Sequence, residues 1–376
     1  MWPRGKFANC HPAAKMLKEY STHGCPIQCG PNWSQHQLIA ALKREPHISA
    51  KDPIAAKCLH EETHEKIAGG FAKIVKWGDI KHNIPPSLKI SPIAMIPHKS
   101  RLFRCIFDLS FQIKVQGKKL NSVNSSTTSK APQKSMAQLG HVLRRLLATM
   151  KQHYNIKMPF FFSKCDLKDR FWKIVVNNKD AWNFCYVLPP INTTTTTLDD
   201  TQIVVPHALQ MGWSESPPFF CAATETARDI IQLYMVMPNE LAPHPLEQHL
   251  YNNTTCANSL PTPANKINTM EVYVDDFIAA TNDNTTQNIA KLSRAMLHGI
   301  HSIFPPPKIT NHNGGDPISE KKLKKLEGLW DTKKEILGWD IDGKNYTIQL
   351  PSQKENKLQL LITTTYRKKA IPLKVF

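Results

Sequence analysis

Acidic residues are scarce: 30 Asp and Glu stand against 48 Lys and Arg, which leaves a formal net charge of +18. A chain this basic points to a polyanion as partner, nucleic acid first, with a merely basic surface as the plain alternative. No stretch approaches the ~18 continuous apolar residues of a membrane span, and the opening MWPRGKFANCHP lacks the apolar core of a secretory signal. A cytoplasmic or nuclear protein with no membrane partner is therefore expected. The cysteines number nine, an odd count with no repeated spacing, so no disulfide framework is indicated. Cys105, Cys165, Cys185 and Cys221 lie inside apolar runs, where a free thiol packs as a small hydrophobe in a reducing compartment. Repeats with a period of roughly 20 to 50 residues are missing, which excludes a solenoid. Hydrophobic and charged fractions of 41% and 21% exclude wholesale disorder and collagen-like or coiled-coil composition.

The 376 residues suffice for two or three folding units. Residues 1–90 are patchy. Cys10, Cys25 and Cys29 with His23 and His36 hint at a metal, but the second tight ligand pair of a structural zinc site does not follow. From Ser91 onward, short β-rich runs punctuated by Pro, Gly and Asn alternate with helical patterns, an α+β texture. Phe160 to Asp166 reads as a buried strand ending in a carboxylate, and Trp172 to Val176 and Trp182 to Leu188 read as further strands. Ser216-Pro217-Pro218 opens a helix with an apolar stripe through Phe220, Ala223, Ala227, Ile230 and Tyr234. Glu271 to Ala280 is a hairpin with Asp275-Asp276 at its tip. Thr193 to Thr197 with Asp199-Asp200 reads as an exposed, solvated loop. Lysine clusters at 321–325 and 333–334, with Arg367-Lys368-Lys369, either track a phosphate backbone or form an ordinary solvated face.

Adjacent acids at the tip of an apolar hairpin repel one another and lose hydration, which is costly unless a cation sits between them. Hard carboxylate oxygens suit Mg²⁺ or Mn²⁺, and a pair of such ions serves phosphoryl transfer. Asp275 and Asp276 would then need a third carboxylate from another strand end, and Asp166 is the candidate.

These residues also carry a resemblance. Tyr273-Val274-Asp275-Asp276 resembles the YxDD motif of reverse transcriptases, and Asp166-Leu-Lys-Asp-Arg-Phe171 is similar to their first catalytic-aspartate motif. Leu209 to Pro217 resembles the turn before the helix that underlies template and nucleotide. Pro97-His-Lys99 with Phe103 to Leu109 resembles the fingers segment, and Glu335-Ile-Leu337-Gly338-Trp339 the primer-grip hairpin. The five stand in the family's order from Ser91 to about Leu350, with the gypsy-like and retroviral branch of long-terminal-repeat elements the nearest in look.

The resemblance implies a right-hand polymerase: 91–165 as fingers and start of the palm, 166–320 as the palm with the catalytic carboxylates, and 321–376 as the primer-grip hairpin and the start of a truncated thumb. Residues 1–90 have no assigned role. It implies RNA-directed DNA synthesis on an RNA or DNA template with primer, from deoxynucleoside triphosphates, with two Mg²⁺ or Mn²⁺ ions held by Asp166, Asp275, Asp276 and the Leu167 carbonyl. Lys99 and Arg104 would clamp phosphates, Asp169 and Arg170 would cradle the triphosphate by their amides, and Phe171 would exclude a 2′-hydroxyl. Met211 would border the nucleotide, while Gly212, Trp213, Tyr273, Leu337, Gly338 and Trp339 would meet nucleic acid.

Three positions depart from the family's usual pattern: Arg170 for Gly or Ala, Met211 for Gln, and Ser110 for Arg. The family's late catalytic lysine has three candidates, Lys308, Lys325 and Lys334. There is no Asp-Thr-Gly or Asp-Ser-Gly protease motif, no room for a ribonuclease H domain and no integrase-like zinc pattern, so a fragment or relic of a polyprotein is expected. A nucleic-acid-binding relic without turnover is the alternative function. His60-Glu61-Glu62-Thr63-His64 matches the zinc-protease HExxH pattern, but its inner positions are polar and no third ligand follows nearby, so a solvated helix face is expected.

Overall fold

The computed structural model describes residues 10–44, 46–98, 101–112, 114–115, 117–119, 121–137, 139–156, 158–191, 197–238, 241–251, 263, 265–306 and 315–366. It is a mixed helix and sheet chain. The helices are α1 (Ala14–His23), α2 (Gln35–Arg44), α3 (Ile48–Lys51), α4 (Pro53–Ala68), α5 (Trp77–Ile80), α6 (Val142–Gln152), α7 (Ser216–Val236), α8 (Thr286–Ile303), α9 (Glu320–Leu323) and α10 (Ser352–Thr365). The strands are β1 (Ala72–Lys76), β2 (Ile93–His98), β3 (Arg101–Phe107), β4 (Lys114–Val115), β5 (Lys118–Lys119), β6 (Phe161–Asp166), β7 (Tyr186–Val187), β8 (Gln202–Pro206), β9 (Asn268–Tyr273), β10 (Asp276–Thr281), β11 (Lys333–Ile336), β12 (Trp339–Asp342) and β13 (Thr347–Gln349). Among the described residues no helix is long and apolar enough to cross a membrane.

Two compact units are present. The first comprises Met1–Ala137, Leu167–Ile230 and Gly299–Ile318. Its sheet runs β1-β8-β7, all antiparallel. Ile203, Val204 and Val205 of central β8 are fully buried, as a branched apolar run in a covered strand should be. Helix α4 begins at Pro53 after Asp52, whose carboxylate accepts hydrogen bonds from the amides of Ile54 and Ala55 at 3.0 Å each. Asp199 and Asp200 are drawn into ion pairs, with Lys81 and Lys76 respectively; residues 193–196 of the threonine run lie outside the described residues.

The second unit comprises Gln138–Asp166, Ile231–His298 and Ser319–Phe376. Its sheets run β6-β10-β9 and β11-β12-β13. Val142, Leu146 and Met150 recur every four residues on α6 and pack with Phe160, Phe162, Ile278, Ala280, Ile336 and Ile341 in one buried cluster. Arg145 of the same helix forks onto the buried Glu271 carboxylate of β9, its Nε at 2.8 Å.

Two strand expectations are corrected. Trp172 to Val176 is not a strand: Arg170–Lys173 forms a 3-10 turn, and only Val175 and Val176 make isolated bridges, to Ala208 and Cys25. The cause is the chain entering at Asp169 and Arg170 in left-handed conformation, φ 61° and 31°, which extended pairing cannot accommodate. In Trp182 to Leu188, Ala181–Phe184 is likewise a 3-10 turn, and only Tyr186–Val187 is strand.

Candidate functional site

The carboxylate site is built by strand register in the second unit. Strand β6 ends at Asp166, and antiparallel β10 begins at Asp276 directly opposite it. Cross-strand partners share a sheet face, so the two carboxylates emerge side by side, with Tyr273, the β9 partner of Asp276, on the same face. Val274 and Asp275 make the two-residue turn. Val274 takes φ 56°, a left-handed conformation where a β-branched residue is strained. Asp166 and Asp275 are each only 4% exposed, whereas Tyr273 is exposed.

Asp166 is the anomaly. Both of its carboxylate oxygens are shut from solvent and make no hydrogen bond, although its backbone carbonyl accepts from the Ser319 amide at 2.8 Å. What faces the carboxylate is the ammonium of Lys322 on α9, which lies against Oδ2 as an ion pair. Burial lowers the Lys322 amine from its ordinary value and Lys164 adds to this, while Glu327 works the other way. Sequence reasoning missed Lys322 among the lysines of that cluster. Of the three late-lysine candidates, Lys334 donates to the carbonyls of Glu327 and Leu329 at 3.2 and 2.6 Å, Lys325 is exposed, and Lys308 lies outside the described residues.

Hard oxygen donors with unfilled hydrogen-bonding capacity fit Mg²⁺ or Mn²⁺. Among the described residues, however, no three His, Cys, Asp or Glu side chains are gathered into a metal-binding cluster. Asp166 has the right donors, but its cation is Lys322.

The expected nucleotide residues belong to the first unit. Leu167 bridges Ile318, and beyond it Asp169 and Arg170 form the left-handed turn. Lys66 of α4 donates to Asp169 Oδ1 at 2.6 Å and stands 5.3 Å from the Trp172 ring centre. Burial works to raise the Asp169 carboxyl, yet Lys66, with Lys173 and Lys168, holds it below its ordinary value. The helix that carries the HExxH match is therefore not the wholly solvated face expected. His60 hydrogen-bonds the Pro189 carbonyl at 2.7 Å, Thr63 is buried against Tyr186, and Lys66 reaches the turn. Phe171 is 9% exposed, its ring edge-on to Phe220.

Arg104 and Met211 are brought together, an Arg104 nitrogen lying 3.1 Å from the Met211 sulfur. Gly212 follows with φ 102°, and a Cβ there would stand 2.6 Å from the Phe107 carbonyl oxygen, so only glycine fits. Asn124, which sequence reasoning passed over, pins this turn. It donates to the Gly212 carbonyl and the Ser110 hydroxyl at 2.8 Å each and accepts from the Ser214 amide at 3.0 Å. Trp213 requires a correction. It is 3% exposed, stacked on Phe219, with its indole nitrogen donating to Thr127, and no face is left for a base. Lys99 lies outside the described residues.

Leu337 and Gly338, both left-handed at φ 49° and 83°, form the tight turn between β11 and β12. Leu337 leans on the core cluster, Lys354 donates to the Gly338 carbonyl at 2.9 Å, and Trp339 is 37% exposed.

No protein-family model matches the sequence, and no curated protein matches it. Among solved structures the chain is similar to a foamy viral protease-reverse transcriptase (dRH) in complex with double-stranded DNA, at 15% identity and TM-score 0.46 over 99% of this chain and 48% of that one. It is also similar to a foamy viral protease-reverse transcriptase with double-stranded DNA, at 15% identity and TM-score 0.45 over 95% and 55%. The chain thus spans about half the length of the solved structures it matches.

Proposed function

We propose that the chain is an RNA-directed DNA polymerase of the gypsy-like or retroviral kind, extending a primer 3′ end with deoxynucleotides on an RNA or DNA template. One observation carries this reading: the β6/β10 register sets Asp166 beside Asp276 next to the Asp275 turn, with both Asp166 oxygens buried and free of hydrogen bonds. A buried carboxylate in that state needs a cation, a need that Lys322 meets in this structure and that a metal ion would meet in the proposal. In the proposal, 91–165 supply fingers and the start of the palm, 166–320 the palm, and 321–376 the primer grip and start of a thumb. Asp166, Asp275, Asp276 and the Leu167 carbonyl would hold two Mg²⁺ or Mn²⁺ ions. When bound, these supply the charge that stabilises the attacking and leaving oxygens of phosphoryl transfer.

The remaining work falls to the chain's own groups. Arg104 rests on the Met211 sulfur, a weak acceptor that a triphosphate oxygen would outcompete, and Lys99 is its expected companion. The left-handed turn at Asp169 and Arg170 would offer backbone amides to an anion, and the Phe171 ring behind it would crowd a 2′-hydroxyl. Tyr273, Gly212, Leu337, Gly338 and Trp339 would border primer and template. The +18 charge favours such a partner, and a cytoplasmic or nuclear setting suits it.

Primer extension on an RNA template with deoxynucleotides and Mn²⁺ tests the reading. The wild type should extend, and Asp275→Asn should lose at least the roughly ten- to hundredfold that outer-shell partners of a metal are worth. A second reading, a nucleic-acid-binding relic, is favoured by Lys322 on Asp166 and by Arg170 in a conformation that suits glycine. Absence of extension by the wild type, with tight salt-sensitive binding to the same primer-template, would select that reading.

A further inference from the structure

Asp166 is 4% exposed, and its carboxylate finds no hydrogen bond. A buried acid in that state needs an opposite charge, and the Lys322 ammonium supplies it. Lys322 is poorly suited to a permanent structural tie. Its side chain is 40% exposed against 2% for that of Asp166, so it reaches in from solvent on a flexible stem and can return without opening a cavity. Its backbone, by contrast, is fixed. Helix α9 is one turn long, anchored by buried Leu323 and by the Ser319 amide on the Asp166 carbonyl. The ammonium can therefore leave while the helix stays.

We propose that Lys322 is a resident counter-ion of the carboxylate site. It occupies Asp166 in metal-free protein and swings out when a divalent cation binds, so every incoming ion competes with an internal ammonium. This rests on the reading of Asp166, Asp275 and Asp276 as metal ligands. It accounts for two facts together: the buried acid is tolerated, and among the described residues no ready three-ligand cluster exists. With the ammonium in place, the first ligand is engaged elsewhere. Because both cations cannot hold Asp166 at once, removing the ammonium should strengthen metal binding and weaken the metal-free fold in the same variant.

The test is a Mn²⁺ titration of the full chain, free Mn²⁺ being read by electron paramagnetic resonance, with thermal unfolding in parallel. Lys322→Gln should bind Mn²⁺ about tenfold more tightly than wild type, and it should melt lower than wild type without metal and recover as Mn²⁺ is added. An unchanged Mn²⁺ affinity in Lys322→Gln, with binding lost in Asp275→Asn, overturns the counter-ion role and leaves the metal site standing. Wild-type Mn²⁺ binding in both Asp166→Asn and Asp275→Asn overturns the metal reading and this inference with it. Should Lys322→Gln fail to fold, wild-type protein reductively methylated with ¹³C provides a second readout. The Lys322 resonance, identified by its disappearance in Lys322→Arg, should shift on adding Mg²⁺; a resonance unmoved at saturating Mg²⁺ overturns the proposal.

Discussion

Single residues here hold conformations that their side chains do not favour. Asp169 is kept in its left-handed turn by Lys66. Because the folded carboxyl is held below its ordinary value, the pair's contribution is present above the unfolded value of ~3.9 and is lost as pH falls through the folded one. Thermal unfolding between about pH 5 and pH 2 should therefore fall more steeply for wild type than for Lys66→Met. At Gly212 the obstacle is backbone: a Cβ would meet the Phe107 carbonyl at 2.6 Å in a chain already at φ 102°. Gly212→Ala should cost about 1–3 kcal/mol in chemical denaturation. Asn124→Ala, which leaves the Gly212 carbonyl and the Ser214 amide without their partner, should cost a similar ~1–3 kcal/mol. The glycine at 212 was readable as a turn residue, but Asn124 was not, because nothing in its neighbourhood announces a partner 88 positions away.

At the scale of elements, period and turn chemistry explain what could be read in advance. The β9/β10 hairpin, the Ser216 helix and the β11/β12 turn form as expected because each depends on contacts a few residues apart. The Trp172 to Val176 run is not a strand because the chain enters it through the left-handed turn at Asp169 and Arg170, whose Asp169 carboxylate is met by the distant Lys66. Val274→Gly should stabilise the hairpin by roughly 1 kcal/mol, since the left-handed φ costs a β-branched residue about that much. A lower melting temperature in that variant would mean that the Val274 side chain contributes more by packing than its backbone loses. Phe162, 0% exposed between α6 and the β6-β10-β9 sheet, should cost about 3–5 kcal/mol as Phe162→Ala, read by denaturant unfolding.

For the whole molecule the dominant property is the charge of +18. Binding to a primer-template should weaken as salt rises, and a log–log slope steeper than about −3 would indicate several phosphates held at once. A flat dependence would set the excess charge aside as mere surface. By itself the sequence determined the α+β texture, the basic character, the local hairpins and helices, and the residue types at Asp166, Asp275 and Asp276, since composition and short-range periodicity are written in neighbouring residues. Only the tertiary structure decided that Asp166 and Asp276 share a rung, that Trp213 turns inward, that Lys66 holds Asp169, and that Lys322 of all the lysines meets Asp166. Those pairings join residues far apart in the chain, and their partners are selected by burial and register, which no local pattern encodes.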